Sequence, residues 1–157
     1  DIIGSVLLPA LLVLSKAGFL IGWAKPVPFN PYNLKNQRYG SAIVAIAGVG
    51  ANFFIALVFG LLIRFSGDLG LTSSAFLSLA QVIVVINLLL GVFNLVPIPP
   101  LDGSKVLFTF LPPHLHWVEE AMERYALFLI LILIFFLWGV ISPIVGGLFS
   151  LFTGLPF

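Results

Sequence analysis

Three stretches of this chain carry no charged residue and are long enough to cross a lipid bilayer as helices. They are residues 41–63, 75–101 and 125–157. A bilayer core of about 30 Å needs about 20 apolar residues as a helix, because lipid offers no partner to an unpaired backbone amide. The whole chain is 61% hydrophobic and 8% charged, so its composition is that of an integral membrane protein.

A fourth stretch, residues 2–23, is apolar but is interrupted by Pro9, Lys16 and Gly18. Counting it as a span, the sequence predicts an all-α, polytopic membrane protein with about four transmembrane helices. The length of the chain favours a single domain, so we expect residues 1–157 to form one transmembrane core.

The charged residues indicate how these spans are oriented. With four spans, the Pro-rich segment 22–40 and the segment 103–124 lie on the same side of the membrane. Together they contain most of the cations, which are Lys25, Lys35, Arg38, Lys105 and Arg124. The connection 64–74 on the other side carries Arg64 alone. The positive-inside rule then predicts that segments 22–40 and 103–124 are cytoplasmic loops of a plasma-membrane protein.

Composition also excludes some classes of function. No run of lysine and arginine exists to follow a phosphate backbone, so we expect no nucleic-acid partner. The chain has no cysteine, which excludes a disulfide framework, a thiolate metal site and a cysteine nucleophile. A lipid bilayer is the one partner that composition alone predicts.

The span 75–101 ends in a stretch that should break its helix. Three prolines between residues 97 and 100 lack an amide hydrogen, so a regular helix cannot continue through them. Unwound backbone at membrane depth is tolerated only where protein covers it or water reaches it. Asp102 follows this break, and a carboxylate there is suited to a divalent cation. Gly103 permits a tight turn or a close backbone approach.

The residues alone leave a second interpretation of Asp102 equally open. It can be the N-cap of a helix that begins at Gly103, with the prolines marking the bilayer boundary. Asn87 and Asn94 are seven residues apart and share a helix face, which predicts an interhelical hydrogen bond. His116 and Glu119 are spaced for a surface metal site, although a solvated face of a short interfacial helix is the simpler interpretation.

Two segments resemble a known family. The segment FNLVPIPPLDGSKVL, residues 93–107, resembles the Asn/Pro/Asp-Gly signature of the site-2 protease family, intramembrane zinc metalloproteases that cut other membrane proteins. The segment GWAKPVPFNPYNLKNQRYGSAIVAIAGVGAN, residues 22–52, is similar to the stretch upstream of it in the bacterial and archaeal branch. That stretch leads into a G-x-x-x-N element, here Gly48 and Asn52. The resemblance covers roughly residues 1–130, with both motifs in the family's order.

The resemblance implies roles for individual residues. Asp102 would be the third ligand of a Zn²⁺ ion, and Asn94 and Gly103 would be its motif companions. Gly48 and Asn52 would either let two helices pack closely or contact the substrate, and close packing is the favoured interpretation of their spacing.

The family's other two zinc ligands and its general base come from an H-E-x-x-H helix, which this sequence does not contain. The histidines present are His114 and His116, which are downstream of Asp102 and, two residues apart, lie on different helix faces. We therefore expect the chain to be truncated at its N-terminus, with the H-E-x-x-H helix preceding Asp1, and we assign no catalytic base within these residues.

The resulting hypothesis is an intramembrane zinc metalloprotease that hydrolyses peptide bonds within or near transmembrane segments of membrane-protein substrates. A transporter or channel with an ion site at the broken helix is one alternative. A catalytically inactive membrane scaffold that binds other helices is another.

Overall fold

The computed structural model describes residues 37–157, and the predicted span 2–23 lies outside them. The described residues form α1 (Gln37–Arg64), α2 (Ser74–Asn94), α3 (Asp102–Phe110), α4 (His116–Arg124) and α5 (Ala126–Thr153), with a 3₁₀ turn at Pro113–Leu115. No β-strand occurs within residues 37–157. The prediction of an all-α protein is confirmed.

Two of these helices have the length and apolar composition to cross a membrane, α1 over Tyr39–Arg64 and α2 over its full length. A third span is present if α5 is counted, although its segments Ala126–Leu133 and Trp138–Thr153 meet at 63°. The part of the chain that the structure describes is therefore a helical membrane protein.

The helix boundaries differ from the predicted ones in two places. Helix α1 begins at Gln37, inside the segment 22–40 that was predicted to be a loop. The last proline of that segment is Pro31, so none of its remaining residues prevents a helix. Segment 103–124 is not a loop with one short helix, since most of it belongs to α3 and α4.

Helix α1 is the centre of the packing, because it contacts α2, α3 and α5, and α2 in turn contacts α5. The buried residues of α1 are mostly small and recur three, four or seven residues apart, namely Ala42, Ala45, Val49, Ala56 and Ile63. Helix α2 meets them with the buried residues Ala80, Val84 and Leu88. Small side chains let helix backbones approach closely, and such close packing holds helices together in lipid.

Gly60 marks the closest approach of α1 to α5. A Cβ atom built on Gly60 would stand 2.7 Å from the Cβ atom of Phe152 and 3.2 Å from its carbonyl carbon. Neither atom belongs to the free end of a side chain, so the two helices would have to separate to make room. Glycine at this position therefore determines the α1–α5 distance.

Replacing Gly60 with alanine is expected to lower the free energy of unfolding by about 1–3 kcal/mol, the usual cost of overpacking a close contact. Gly50→Ala is the matched control on the same helix, because nothing lies within 4 Å of its added Cβ atom. That control should be as stable as the wild type or slightly more stable. Unfolding in mixed detergent micelles measures both variants, and equal stability of the two would contradict the packing account.

A hydrogen bond at the C-terminal end of α1 shows which helix ends are neighbours. Arg64 donates from Nη1 to the Leu151 carbonyl oxygen at 2.7 Å, within the last turn of α5, where a cation also favours the helix dipole. The C-terminal ends of α1 and α5 are therefore neighbours. It follows that α3 and α4, which connect α2 to α5, lie at the end of the bundle where α1 begins.

Candidate metal centre

The chain unwinds between α2 and α3, as the prolines predict. Helix α2 ends at Asn94, and residues 95–101 form a series of turns. The Val96 amide donates to the Phe93 carbonyl at 3.1 Å, and the Leu101 amide donates to the Ile98 carbonyl at 2.9 Å. The amides of the other two non-proline residues in this stretch, Leu95 and Ile98, are bonded in the same local way. The break therefore satisfies its own donors, which a segment near lipid requires.

Asp102 is the first residue of α3 rather than the cap before it. The N-cap is Leu101, which makes no side-chain cap hydrogen bond. The Asp102 carboxylate instead accepts a hydrogen bond at Oδ1 from Lys105 Nζ at 2.8 Å. The alternative in which Asp102 caps a helix beginning at Gly103 is therefore wrong, because the helix already includes Asp102 and its carboxylate pairs with a side chain.

The second carboxylate oxygen of Asp102 faces α1. Its Oδ2 atom lies 3.7 Å from the position that a Cβ atom would take on Gly48. Gly48 is well inside the apolar span that starts at Tyr39, about 14 Å along the helix at 1.5 Å per residue. The Asp102 side chain is 29% exposed. The carboxylate thus lies level with the interior of a span and is partly exposed.

A small cavity adjoins this carboxylate. Its volume is about 40 Å³ and its surface is apolar, so it has the size of a water molecule but not the polar partners that would hold one. Its lining combines Asn94, Asp102 and Gly103 from the broken segment with apolar residues of α1 and neighbouring turns, which are Ala45, Ile46, Val49, Leu95 and Val106.

The predicted motif residues are therefore largely brought together. Asn94, Asp102 and Gly103 share the cavity, and Gly48 is the neighbour of Asp102 on α1. Asn52 is different, because it lies one turn beyond Gly48 and is half-buried but does not line the cavity.

Gly103 is where the broken segment and α3 approach most closely. A Cβ atom built on it would overlap the carbonyl oxygens of Leu95 and Val96. Both clashing atoms are backbone, so no side-chain rotation relieves the overlap. A glycine directly after Asp102 is therefore needed for α3 to fold back on the end of α2.

The donor set fits one ligand of a zinc site rather than a complete site. A carboxylate oxygen is a normal zinc ligand, and a catalytic zinc site uses three protein ligands. No group of three histidine, cysteine, aspartate or glutamate side chains is close enough to hold a metal within residues 37–157. His116 lies on α4, where its Nδ1 atom is 3.2 Å from Glu119 Oε2 in an exposed pair.

Sequence reasoning missed one contact and misassigned another. The Lys105 to Asp102 pair was not predicted, although a lysine three residues after an aspartate at a helix start is the available signal. Asn87, predicted to bond to another helix, donates within the described residues from its Nδ2 atom to the Ile83 carbonyl of its own helix at 2.8 Å. A polar side chain in an apolar helix can be satisfied by the preceding turn.

Two comparisons with known proteins match the part of the chain that contains this site. The model of Peptidase family M50 matches residues 66–137, which include Asn94, Asp102 and Gly103. The protein named "Putative zinc metalloprotease YwhC" from Bacillus subtilis (strain 168) is 29% identical over 150 residues, covering 88% of this chain and 68% of that protein. No solved structure matches the chain. The family match covers the broken segment and the relative covers most of the chain, so both comparisons support membership of the site-2 protease family, peptidase family M50.

Proposed function

We propose that this chain is the membrane core of an intramembrane zinc metalloprotease that hydrolyses peptide bonds within or near transmembrane segments of membrane proteins. The observation that carries the proposal is the carboxylate of Asp102, which lies beside a broken helix and against the interior of a span at Gly48. Nothing in the described residues or in the family match favours a transporter, a channel or an inactive scaffold.

Asp102 is proposed as one ligand of the zinc ion that the family implies. The two histidine ligands and the glutamate general base would come from an H-E-x-x-H helix of the intact protein, since the chain's own histidines, His114 and His116, belong to the 3₁₀ turn and α4. When bound, zinc supplies Lewis-acid activation of water at neutral pH. The Asp102 carboxylate would bind the zinc ion at membrane depth and compensate part of its positive charge.

Asn94 and the unwound residues 95–101 are proposed to receive the substrate. A transmembrane substrate hides its carbonyl groups in helical hydrogen bonds, so it must unwind locally before it can be cut. Asn94 is among the residues that line the cavity beside Asp102, and its amide could offer both a donor and an acceptor to an exposed substrate peptide group. Gly48 and Asn52 are proposed to serve mainly in close helix packing.

We place the protein in the cell membrane with segments 22–40 and 103–124 in the cytoplasm. The excess of cations in these segments supports this orientation. The contact between Arg64 and Leu151 supports the same relative arrangement, because it leaves α3, α4 and the beginning of α1 at one end of the bundle.

The test uses the intact protein with its H-E-x-x-H helix, purified in detergent and mixed with a single-span model substrate. We expect cleavage within or next to the apolar segment of the substrate, mapped by mass spectrometry of the products. Removing zinc with 1,10-phenanthroline should stop cleavage, and added Zn²⁺ should restore it. Cleavage that survives zinc removal, or that occurs only in soluble tails, would contradict the proposal.

A further inference from the structure

Lys105 is a charged residue beside the candidate metal centre to which the proposed function gives no role. It lies one turn after Asp102 on α3, and its Nζ atom contacts Asp102 Oδ1 at 2.8 Å. The Lys105 side chain is 49% exposed. An exposed pair of this kind contributes little to folding stability, and an aspartate in the first turn of a helix is already favoured by the helix dipole.

The two oxygens of Asp102 have different surroundings. Oδ1 accepts the hydrogen bond from Lys105, whereas Oδ2 faces Gly48 of α1, where the missing side chain leaves space. A free carboxylate can rotate and offer a metal either oxygen or both. A carboxylate whose Oδ1 accepts from Lys105 binds a metal more readily through Oδ2, because Oδ1 already uses one of its lone pairs.

We propose that Lys105 is a positioning residue that holds Oδ1 of Asp102 and so favours zinc binding through Oδ2 alone. This inference rests on the proposed metalloprotease function. Ligating carboxylates are commonly oriented by an outer hydrogen bond, and loss of such a partner costs about 10–100-fold in metal affinity or activity. One-oxygen binding also keeps the fourth zinc position free for water, as a catalytic site requires.

The experiment compares variants of the intact protein. Lys105→Met keeps a long side chain but removes the donor, and Lys105→Arg keeps a cation that can still donate. Arg124→Met is the matched control, because it removes one cation from α4, which belongs to the same segment 103–124. Zinc affinity is measured by competition with a chromophoric chelator, and the coordination number by X-ray absorption at the zinc edge.

We expect Lys105→Met to bind zinc about 10-fold more weakly and to show an additional oxygen ligand, as the released carboxylate binds through both oxygens. Lys105→Arg should restore most of the affinity, and Arg124→Met should behave as the wild type. A merely structural lysine would not change the coordination number. Wild-type or tighter zinc binding by Lys105→Met, with unchanged coordination, would overturn the proposal.

Asp102→Asn, measured in parallel, separates this proposal from the function on which it rests. If Asp102→Asn retains zinc, the assignment of Asp102 as a ligand fails, and the role of Lys105 fails with it. If Asp102→Asn loses zinc while Lys105→Met binds it normally, only the positioning role of Lys105 is wrong.

Discussion

Replacing Asp102 with asparagine in the intact protein is expected to lower the rate of substrate cleavage at least about 100-fold, because loss of a mere outer-shell partner already costs about 10–100-fold. Asparagine has nearly the same size but offers zinc a neutral oxygen in place of a charged one. Zinc content after dialysis should fall together with activity. Cleavage of a model substrate and elemental analysis of the purified protein measure the two effects.

The same substitution should leave the fold intact. The Asp102 side chain is partly exposed, so an amide there can bond to water, and its partner Lys105 can do the same. The matched control is Asp68→Asn, which changes an exposed aspartate in the turn between α1 and α2. That control should keep full activity. An Asp102→Asn protein that cleaves at the wild-type rate would remove Asp102 from the site.

Replacing Gly103 with alanine is expected to destabilise the protein by about 2–3 kcal/mol, towards the upper part of the usual overpacking cost. The added Cβ atom meets the carbonyl oxygens of Leu95 and Val96, and backbone cannot yield as a side chain can. Helix α3 must therefore move away from the end of α2 and carry Asp102 with it. Activity should be lost even under conditions in which the protein remains folded.

Thermal unfolding in detergent and the cleavage assay measure these effects of Gly103→Ala. The control is Gly139→Ala on α5, where nothing lies within 4 Å of the added atom, and its stability and activity should match the wild type. If Gly103→Ala were as stable and as active as this control, the close approach of α3 to the broken segment would not be required for function.

Much of this fold follows from local sequence patterns. Apolar runs of sufficient length predict α1, α2 and α5. Such a run in lipid must pair its own backbone amides, and a helix does so. The three prolines predict the break after Asn94, since each removes a donor that the helix needs. Helix α3 was predicted only within the alternative in which Asp102 caps a helix beginning at Gly103, because its nine residues are too few for periodicity to distinguish them from a loop.

The sequence by itself determined that the chain is a membrane protein, that a helix breaks at the three prolines and that a carboxylate follows the break, because these properties depend on neighbouring residues along the chain. Only the tertiary structure decided that Oδ2 of Asp102 faces Gly48 while Oδ1 is held by Lys105. The direction of a side chain depends on which helix packs against it, and residues far apart in sequence carry no local signal of that contact.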